Sequence, residues 1–285
     1  MIYLESFTFP DADKEFDFFL TIKRTCYDSL YPFRVLSQRN FSPLEFEPIT
    51  LLYGGNGSGK STALNVIAEK LALPRDSKFN QSNFFDTYVE LCQRRLADEI
   101  PEGSRIITSD DVFDYMLNIR TLNEGIDQKR ETLFDEYLDS KYAEFKFTSL
   151  KDYEQLKKVN LSRSKTQSKF IRKSLIDTIR ERSNGENAYA YFSEKIGENG
   201  LFLLDEPENS LSPERQLQLV QFIEDSVRFF GCQFIISTHS PFLLAMKGAK
   251  IYDLDENPVI PKKWTELKNV RVFYDFFTRN KEDFD

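Results

Sequence analysis

Cysteine, histidine and tryptophan are scarce in this chain: three, one and one in 285 residues. Cys26, Cys92 and Cys232 are too few and too far apart for a disulfide framework or a Cys-x-x-Cys metal site. A single histidine excludes a three-histidine zinc centre. No run approaches the ~18–20 apolar residues needed to cross a bilayer, so membrane insertion is not expected. The opening Met1-Ile2-Tyr3-Leu4-Glu5 lacks the basic start and apolar stretch of a signal peptide. A reducing cytoplasm is therefore the expected compartment. Positive charge is also in deficit. The 38 Lys+Arg against 46 Asp+Glu leave a net charge of −8, which argues against a surface coated in nucleic acid.

What is present describes a globular protein: 40% hydrophobic and 29% charged residues are ordinary for a folded domain. A chain of this size can bury roughly three quarters of its unfolded surface. The first fifty residues read as short β elements. Ile2–Phe9 is aromatic and branched and ends at Pro10, and Phe16–Ile22 has a similar composition. Ile49–Tyr53 is a second apolar run. Glycines follow, then Ser61–Leu73, with apolar residues at 64, 67, 68 and 71 in helical spacing, closed by Pro74. From about 84 to 182 strand-like alternation is rare and helical spacing prevails, as in Phe84, Tyr88, Leu91 and Cys92. This stretch is expected to be a mostly helical lobe inserted between two α/β halves. Strands return at Leu201–Leu204 and Phe234–Ile236, with an amphipathic helix over Glu214–Val227 between them.

Four short motifs carry chemistry. Gly54-Gly55-Asn56-Gly57-Ser58-Gly59-Lys60-Ser61 fits G-x-x-x-x-G-K-[ST] in full, between an apolar strand and a helix. Glycines let backbone N–H groups face phosphates, and the helix N-terminus that includes Thr62 adds partial positive charge. Lys60 would reach the β- and γ-phosphates, and Ser61 would ligate Mg²⁺. Leu201–Leu204 leads into Asp205-Glu206-Pro207-Glu208, two adjacent carboxylates at the end of a buried strand. That edge is where α/β sheets bind ligands. Asp205 would hold the metal, and Glu206 would orient or deprotonate an attacking water. Ser237-Thr238-His239-Ser240-Pro241 sets the only imidazole at another strand end, where it could sense a γ-phosphate. Ser183-Asn184-Gly185-Glu186 is a turn that could offer a hydroxyl and N–H groups to a phosphate; by itself it is also an ordinary turn.

Residues 155–176 reverse the overall charge. Lys157, Lys158, Arg163, Lys165, Lys169, Arg172 and Lys173 gather there. Two readings stand: contact of 157–173 with a nucleic-acid backbone, or a solvated helix face. Phe170 is the only interleaved aromatic, which gives base stacking little support.

The order of the four motifs resembles the ABC-type ATPases, and more narrowly the small stand-alone ATPases of the AAA15/ABC-ATPase-like group. Tyr31-Pro32-Phe33 and the ending around Trp264-Thr265 and Arg271–Phe284 are similar to that group too. The likeness covers residues 1–75 and 180–285. It implies an α/β ABC-type P-loop fold with an N-terminal antiparallel β portion and a helical insertion. The core would be 1–83 plus 183–285, and the lobe 84–182. It also implies Mg²⁺-dependent ATP hydrolysis in a head-to-tail homodimer with ATP at the interface. Gly54, Asn56, Gly57, Ser58, Gly59, Lys60, Ser61 and Thr62 would bind one end of the nucleotide. Ser183, Gly185 and Glu186 of the other copy would cap it, with Asn209-Ser210-Leu211-Ser212 crossing the seam. Glu206, His239 and Lys60 take catalytic roles; Ser61, Asp205 and Gln81 are the candidate metal ligands. Ser-Asn-Gly-Glu departs from the family's Leu-Ser-Gly-Gly-Gln, so its contacts would differ in detail. The expected output goes to a second protein through the lobe, in DNA handling or antiviral defence. A transporter's nucleotide-binding subunit and a non-hydrolysing ATP sensor stay open as alternatives.

Overall fold

The computed structural model describes residues 1–22, 27, 29–41, 43–142 and 184–284. The basic stretch 157–173 and Ser183 lie outside them. The chain divides into two units, Met1–Asp114 with Asn184–Asp285, and Tyr115–Ser183. In the second, the structure describes the continuation of one long helix, α4 (Ser109–Tyr142). Among the described residues no helix is long and apolar enough to cross a membrane.

The first unit holds two sheets. A six-stranded sheet runs β5 (Arg105–Thr108), β6 (Leu201–Asp205), β7 (Gln233–Ser237), β3 (Ile49–Tyr53), β8 (Lys250–Asp253) and β9 (Ile260–Pro261). Its first five strands are parallel and β9 is antiparallel. Every residue of β3 and β7 is buried. Layers on both faces of a parallel sheet explain why Ile-Thr-Leu-Leu-Tyr and Phe-Ile-Ile read as continuous apolar runs rather than alternating ones. The other sheet is antiparallel: β2 (Leu44–Glu45), β1 (Leu4–Thr8) and β4 (Gln93–Leu96).

Gln233, at the start of β7, joins the two sheets. Its buried Oε1 accepts from the N–H groups of Tyr3 (2.8 Å) and Leu4 (2.9 Å), and its Nε2 donates to the Leu4 carbonyl (2.9 Å). Leucine in its place would leave three buried backbone groups without partners. At ~1–3 kcal/mol for each unsatisfied group, Gln233→Leu is expected to destabilise the fold by about 3 kcal/mol or more. The urea midpoint should drop with the slope of the transition unchanged.

Two sequence expectations need correction. Phe16–Ile22 is not a strand; it lies on α1 (Ala12–Thr21). Asp11 caps this helix by accepting the Lys14 N–H at 2.9 Å, and Asp13 and Glu15 sit in its first turn, where negative charge suits the helix dipole. Phe18 and Phe19 face inward against Phe33, with Phe18 stacked on it at 4.5 Å, while Phe16 and Leu20 are exposed. The period is helical; the aromatic composition masked it. The helical lobe also starts later than residue 84. Residues 84–114 belong to the first unit: α3 (Phe85–Leu91) carries Tyr88 into the core, β4 pairs with β1, and β5 pairs with β6.

The remaining helices flank the sheet. α2 (Lys60–Lys70) follows β3 and buries Ala63, Leu64, Val66 and Ile67. α5 (Asn184–Lys195) precedes β6. α6 (Pro213–Phe229) links β6 to β7, with Ser212 as its cap and Pro213 in its first turn. The short α7 (Pro241–Leu244) and the last helix α8 (Lys268–Arg279) complete the unit.

Candidate functional site

The parallel strands end together, and their order decides what meets. β7 lies between β3 and β6, with Ser237 in register with Leu52 on one side and Asp205 on the other. The glycine loop after β3, the carboxylates after β6 and the histidine after β7 therefore converge on one edge.

The loop is shaped by steric limits. A Cβ on Gly54 would lie 2.5 Å from Ser58 Oγ. Gly59 has φ +96°, and a Cβ there would lie 2.8 Å from a Leu36 methyl carbon. Ser58 Oγ is buried and has no partner among the described residues. No side chain caps the first turn of α2. An uncapped helix start beneath a loop with an orphaned hydroxyl fits a phosphate chain. Asn56 and Gly57 are exposed at the loop tip, and the Gly55 N–H is held by Asp255 at 2.9 Å. Thr62 is buried, and its hydroxyl accepts from Tyr31 Oη at 3.1 Å. Burial pushes the Tyr31 phenol up, so it remains a donor.

Lys60 is nearly closed off from water. Its Nζ donates to the carbonyls of Gly54 (2.8 Å) and Gly55 (3.1 Å) and lies 3.4 Å from Glu206 Oε1. Ser61 Oγ donates to Asp205 Oδ1 at 3.0 Å, and the Ser237 hydroxyl donates to the same oxygen. Burial pushes the Asp205 carboxyl up, against the opposing pull of those two hydroxyls. A hydroxyl and a half-buried carboxylate side by side are hard oxygen donors of the type magnesium takes, and Mg²⁺ characteristically uses only one or two protein ligands with substrate phosphates.

Glu206 stands at φ +47°, a left-handed conformation uncommon outside glycine. Its N–H is shared between the Ser237 carbonyl (3.1 Å) and hydroxyl (3.0 Å). Its carboxylate accepts from Asn209 Nδ2 at 3.0 Å, and His239 Nδ1 lies 3.9 Å away. Glu208 is buried and receives three donors on Oε1: the Thr238 hydroxyl (2.7 Å), the His239 N–H (2.7 Å) and the Ser240 N–H (3.1 Å). It thereby fixes the backbone that carries His239, whose Nδ1 is 3.4 Å from that oxygen.

The structure thus brings Lys60, Ser61, Asp205, Glu206 and His239 together. It does not bring Gln81 to the metal position. The Gln81 amide donates to Glu69 at 3.3 Å, eight residues along α2 from Ser61, or ~12 Å of helix. Gly185 lies in the first turn of α5, and Glu186 pairs with Arg215 of α6 at 3.0 Å. Sequence reasoning did not anticipate what five residues do here. Ser237, Glu208 and Asn209 hold the carboxylates and the histidine. Thr108 lies opposite Asp205 at the end of β5, tied down by Asp111, which accepts its N–H at 2.6 Å. Arg75 donates to Asn65 at 2.6 Å and stacks on Phe79. Burial lowers its guanidinium, while Asp111, Glu69 and Asp205 raise it. Ser237, Glu208 and Asn209 lie inside the motifs read above, but what they hold emerges only on folding: Ser237 and Thr108 through strand register, Glu208 through bonds from the loop after β7, and Asn209 through a bond three residues back to Glu206.

Residues 187–245 match the family model described as AAA domain, putative AbiEii toxin, Type IV TA system. A comparison with curated proteins finds no significant match. Similar solved folds include the dimeric post-hydrolysis state of the ATP-binding cassette MJ0796 bound to ADP and Pi, at 13% identity. That match has a TM-score of 0.38 and covers 79% of this chain and 90% of the other. They also include the Pyrococcus furiosus Smc head domain with an extended coiled coil, bound to the C-terminal domain of ScpA. Here the identity is 12%, the TM-score 0.42, and the coverage 97% and 100%. The core described above, a mostly parallel sheet with a G-x-x-x-x-G-K-S loop between β3 and α2, is a P-loop α/β fold.

Proposed function

We propose that the protein binds ATP with Mg²⁺ at this edge and hydrolyses it when a second copy closes the site head to tail. The observation that carries the reading is the meeting of two pairs across β7: Ser61 with Asp205 at 3.0 Å, and Lys60 with Glu206 at 3.4 Å. The backbone of residues 54–61 and the Lys60 ammonium would hold the phosphates, and Ser61 and Asp205 would hold the metal. Bound magnesium supplies charge neutralisation at the transferring phosphoryl group. Glu206 orients the attacking water and takes up its proton, while Asn209 keeps the carboxylate in place. His239, set by Glu208, offers a further contact to the terminal phosphate. Ser183, Gly185 and Glu186 of the second copy exclude water from the chamber, which strengthens every charge interaction inside it.

Nucleotide then acts as a bond between the copies, and its cleavage releases them. The output is delivered to a partner in defence or DNA handling. The description of the matched family, a putative toxin of a type IV toxin–antitoxin system, supports defence over transport. Mixing two inactive variants tests the shared site. Glu206→Gln and Ser183→Arg chains should each be inert alone and regain up to about a quarter to a half of wild-type phosphate release when combined, because one of the two composite sites is then intact. No recovery in a mixture shown to form heterodimers refutes the head-to-tail arrangement.

A further inference from the structure

The peptide groups of His239 are gripped from two directions. Its N–H goes to Glu208 Oε1 at 2.7 Å, as described above. Its carbonyl accepts from the side-chain amide of Asn269, on the first turn of α8, at 2.5 Å. A residue with both its N–H and its C=O engaged has little freedom left in its two backbone torsions. The imidazole itself is half exposed, 3.4 Å from Glu208 and 3.9 Å from Glu206. Both distances exceed an ordinary hydrogen bond, so the ring takes its place from the backbone that carries it.

Asn269 makes a second bond in another direction. Its own N–H donates to Tyr53 Oη at 3.2 Å. Tyr53 is the buried last residue of β3, and the glycine loop begins with the next residue. Burial pushes the Tyr53 phenol up, so its oxygen stays a neutral hydroxyl. First-turn N–H groups have no partner within their own helix, and no side chain caps α8. Tyr53 supplies the acceptor for one of them. Leu267 and Val270, on either side of Asn269, are buried and anchor this start of the helix.

The two bonds bridge a gap in the sheet. β3 and β7 pair side by side, and the Thr238 N–H on the Leu52 carbonyl at 3.1 Å closes their ladder. Beyond that point the chains part, one into the phosphate-binding loop and the other toward the histidine. Asn269 ties the two together where the ladder has ended.

We infer that Asn269 is a positioning residue: it sets the backbone of His239, and with it the place of the imidazole, without touching nucleotide itself. Its effect on turnover rests on the ATPase reading; the placement of the imidazole does not.

His239 is the only histidine in the chain, so isotope-labelled histidine in a tag-free protein gives a single imidazole signal by nuclear magnetic resonance. In the unaltered, nucleotide-free chain that signal should be one sharp line. Asn269→Leu fills the space of the amide without a donor. It should broaden or split the line while the melting temperature falls by no more than about 5 °C, the ordinary worth of one hydrogen bond. With Mg²⁺-ATP its kcat should drop roughly 10-fold or more with KM within about 2-fold of the parent, because the triphosphate still meets the glycine loop and Lys60. Combined with His239→Ala it should cost nothing further, since two residues acting through one group are not additive. Asn269→Ala replaces the leucine variant if that one does not fold. A line as sharp and single in the variant as in the parent overturns the proposal, whatever the turnover. So does an unchanged kcat, and so do losses that multiply in the double variant. A parent chain that never releases phosphate refutes the ATPase reading instead, and the imidazole line still decides whether Asn269 places the histidine.

Discussion

Glu206→Gln is expected to bind ATP normally, cut phosphate release by ~10²–10⁴-fold and accumulate as a dimer. The amide is nearly isosteric and keeps a carbonyl oxygen for the Asn209 Nδ2, so the loop stays in place. It cannot accept the proton of an attacking water. The backbone at φ +47° costs the same with either side chain, so folding is unaffected. Equilibrium dialysis, phosphate release and size-exclusion chromatography with and without Mg²⁺-ATP read the three parts separately. A variant that turns over at the wild-type rate as a monomer would refute the role assigned to Glu206.

Asp205→Asn should move stability and activity in opposite directions. Burial holds the Asp205 carboxyl above the usual carboxylate range, beyond what the Ser237 and Ser61 hydroxyls bring back. The folded protein therefore keeps this proton to a higher pH than the unfolded chain does. Its contribution to stability falls as pH climbs from the unfolded value through the folded one, and the deficit persists above it. Asparagine removes that deficit and still accepts both hydroxyl bonds through its carbonyl oxygen. Without nucleotide and metal, its melting temperature at neutral pH should exceed that of the wild type, by ~2–4 °C for each kcal/mol regained. The gap should close on acidification. Turnover should fall by ~10²-fold or more, because the Mg²⁺ proposed to bind here would lose its anionic ligand. Added Mg²⁺ with nucleotide should stabilise the wild type more than the variant. A variant less stable than the wild type at neutral pH would contradict the sign.

Local features were the legible ones. The glycine loop, the paired carboxylates and the buried strands announce themselves because each is written in a contiguous stretch. β3, β6 and β7 are readable as apolar runs because layers cover both of their faces. β4 was invisible for the opposite reason: Gln93-Arg94-Arg95-Leu96 is exposed throughout and sits at the edge of a small sheet. Missing it, and the short β5, shifted the expected lobe boundary from the region of Asp114 back to 84. α1 was misread because phenylalanine is a strand-like residue by composition, and three of them in ten positions outweighed a helical period. The supporting residues of the site are non-local by construction. Ser237 is important because β7 puts it beside Asp205, and Glu208 because Thr238 and Ser240 come to it from another strand. Nothing in the order of residues along the chain contains that adjacency.

The left-handed backbone at Glu206 has an implication for how such sites decay. A glycine there would relax a conformation that the carboxylate-bearing residue tolerates only under constraint. That exchange erases the water-activating group while leaving the phosphate cradle and the Ser61–Asp205 pair untouched. If the site cleaves ATP as proposed, that exchange would relieve backbone strain while ending hydrolysis, so only selection for turnover would keep the glutamate. On the proposed reading, a descendant that keeps nucleotide as a permanent clasp between copies, and never cleaves it, would lie one substitution away.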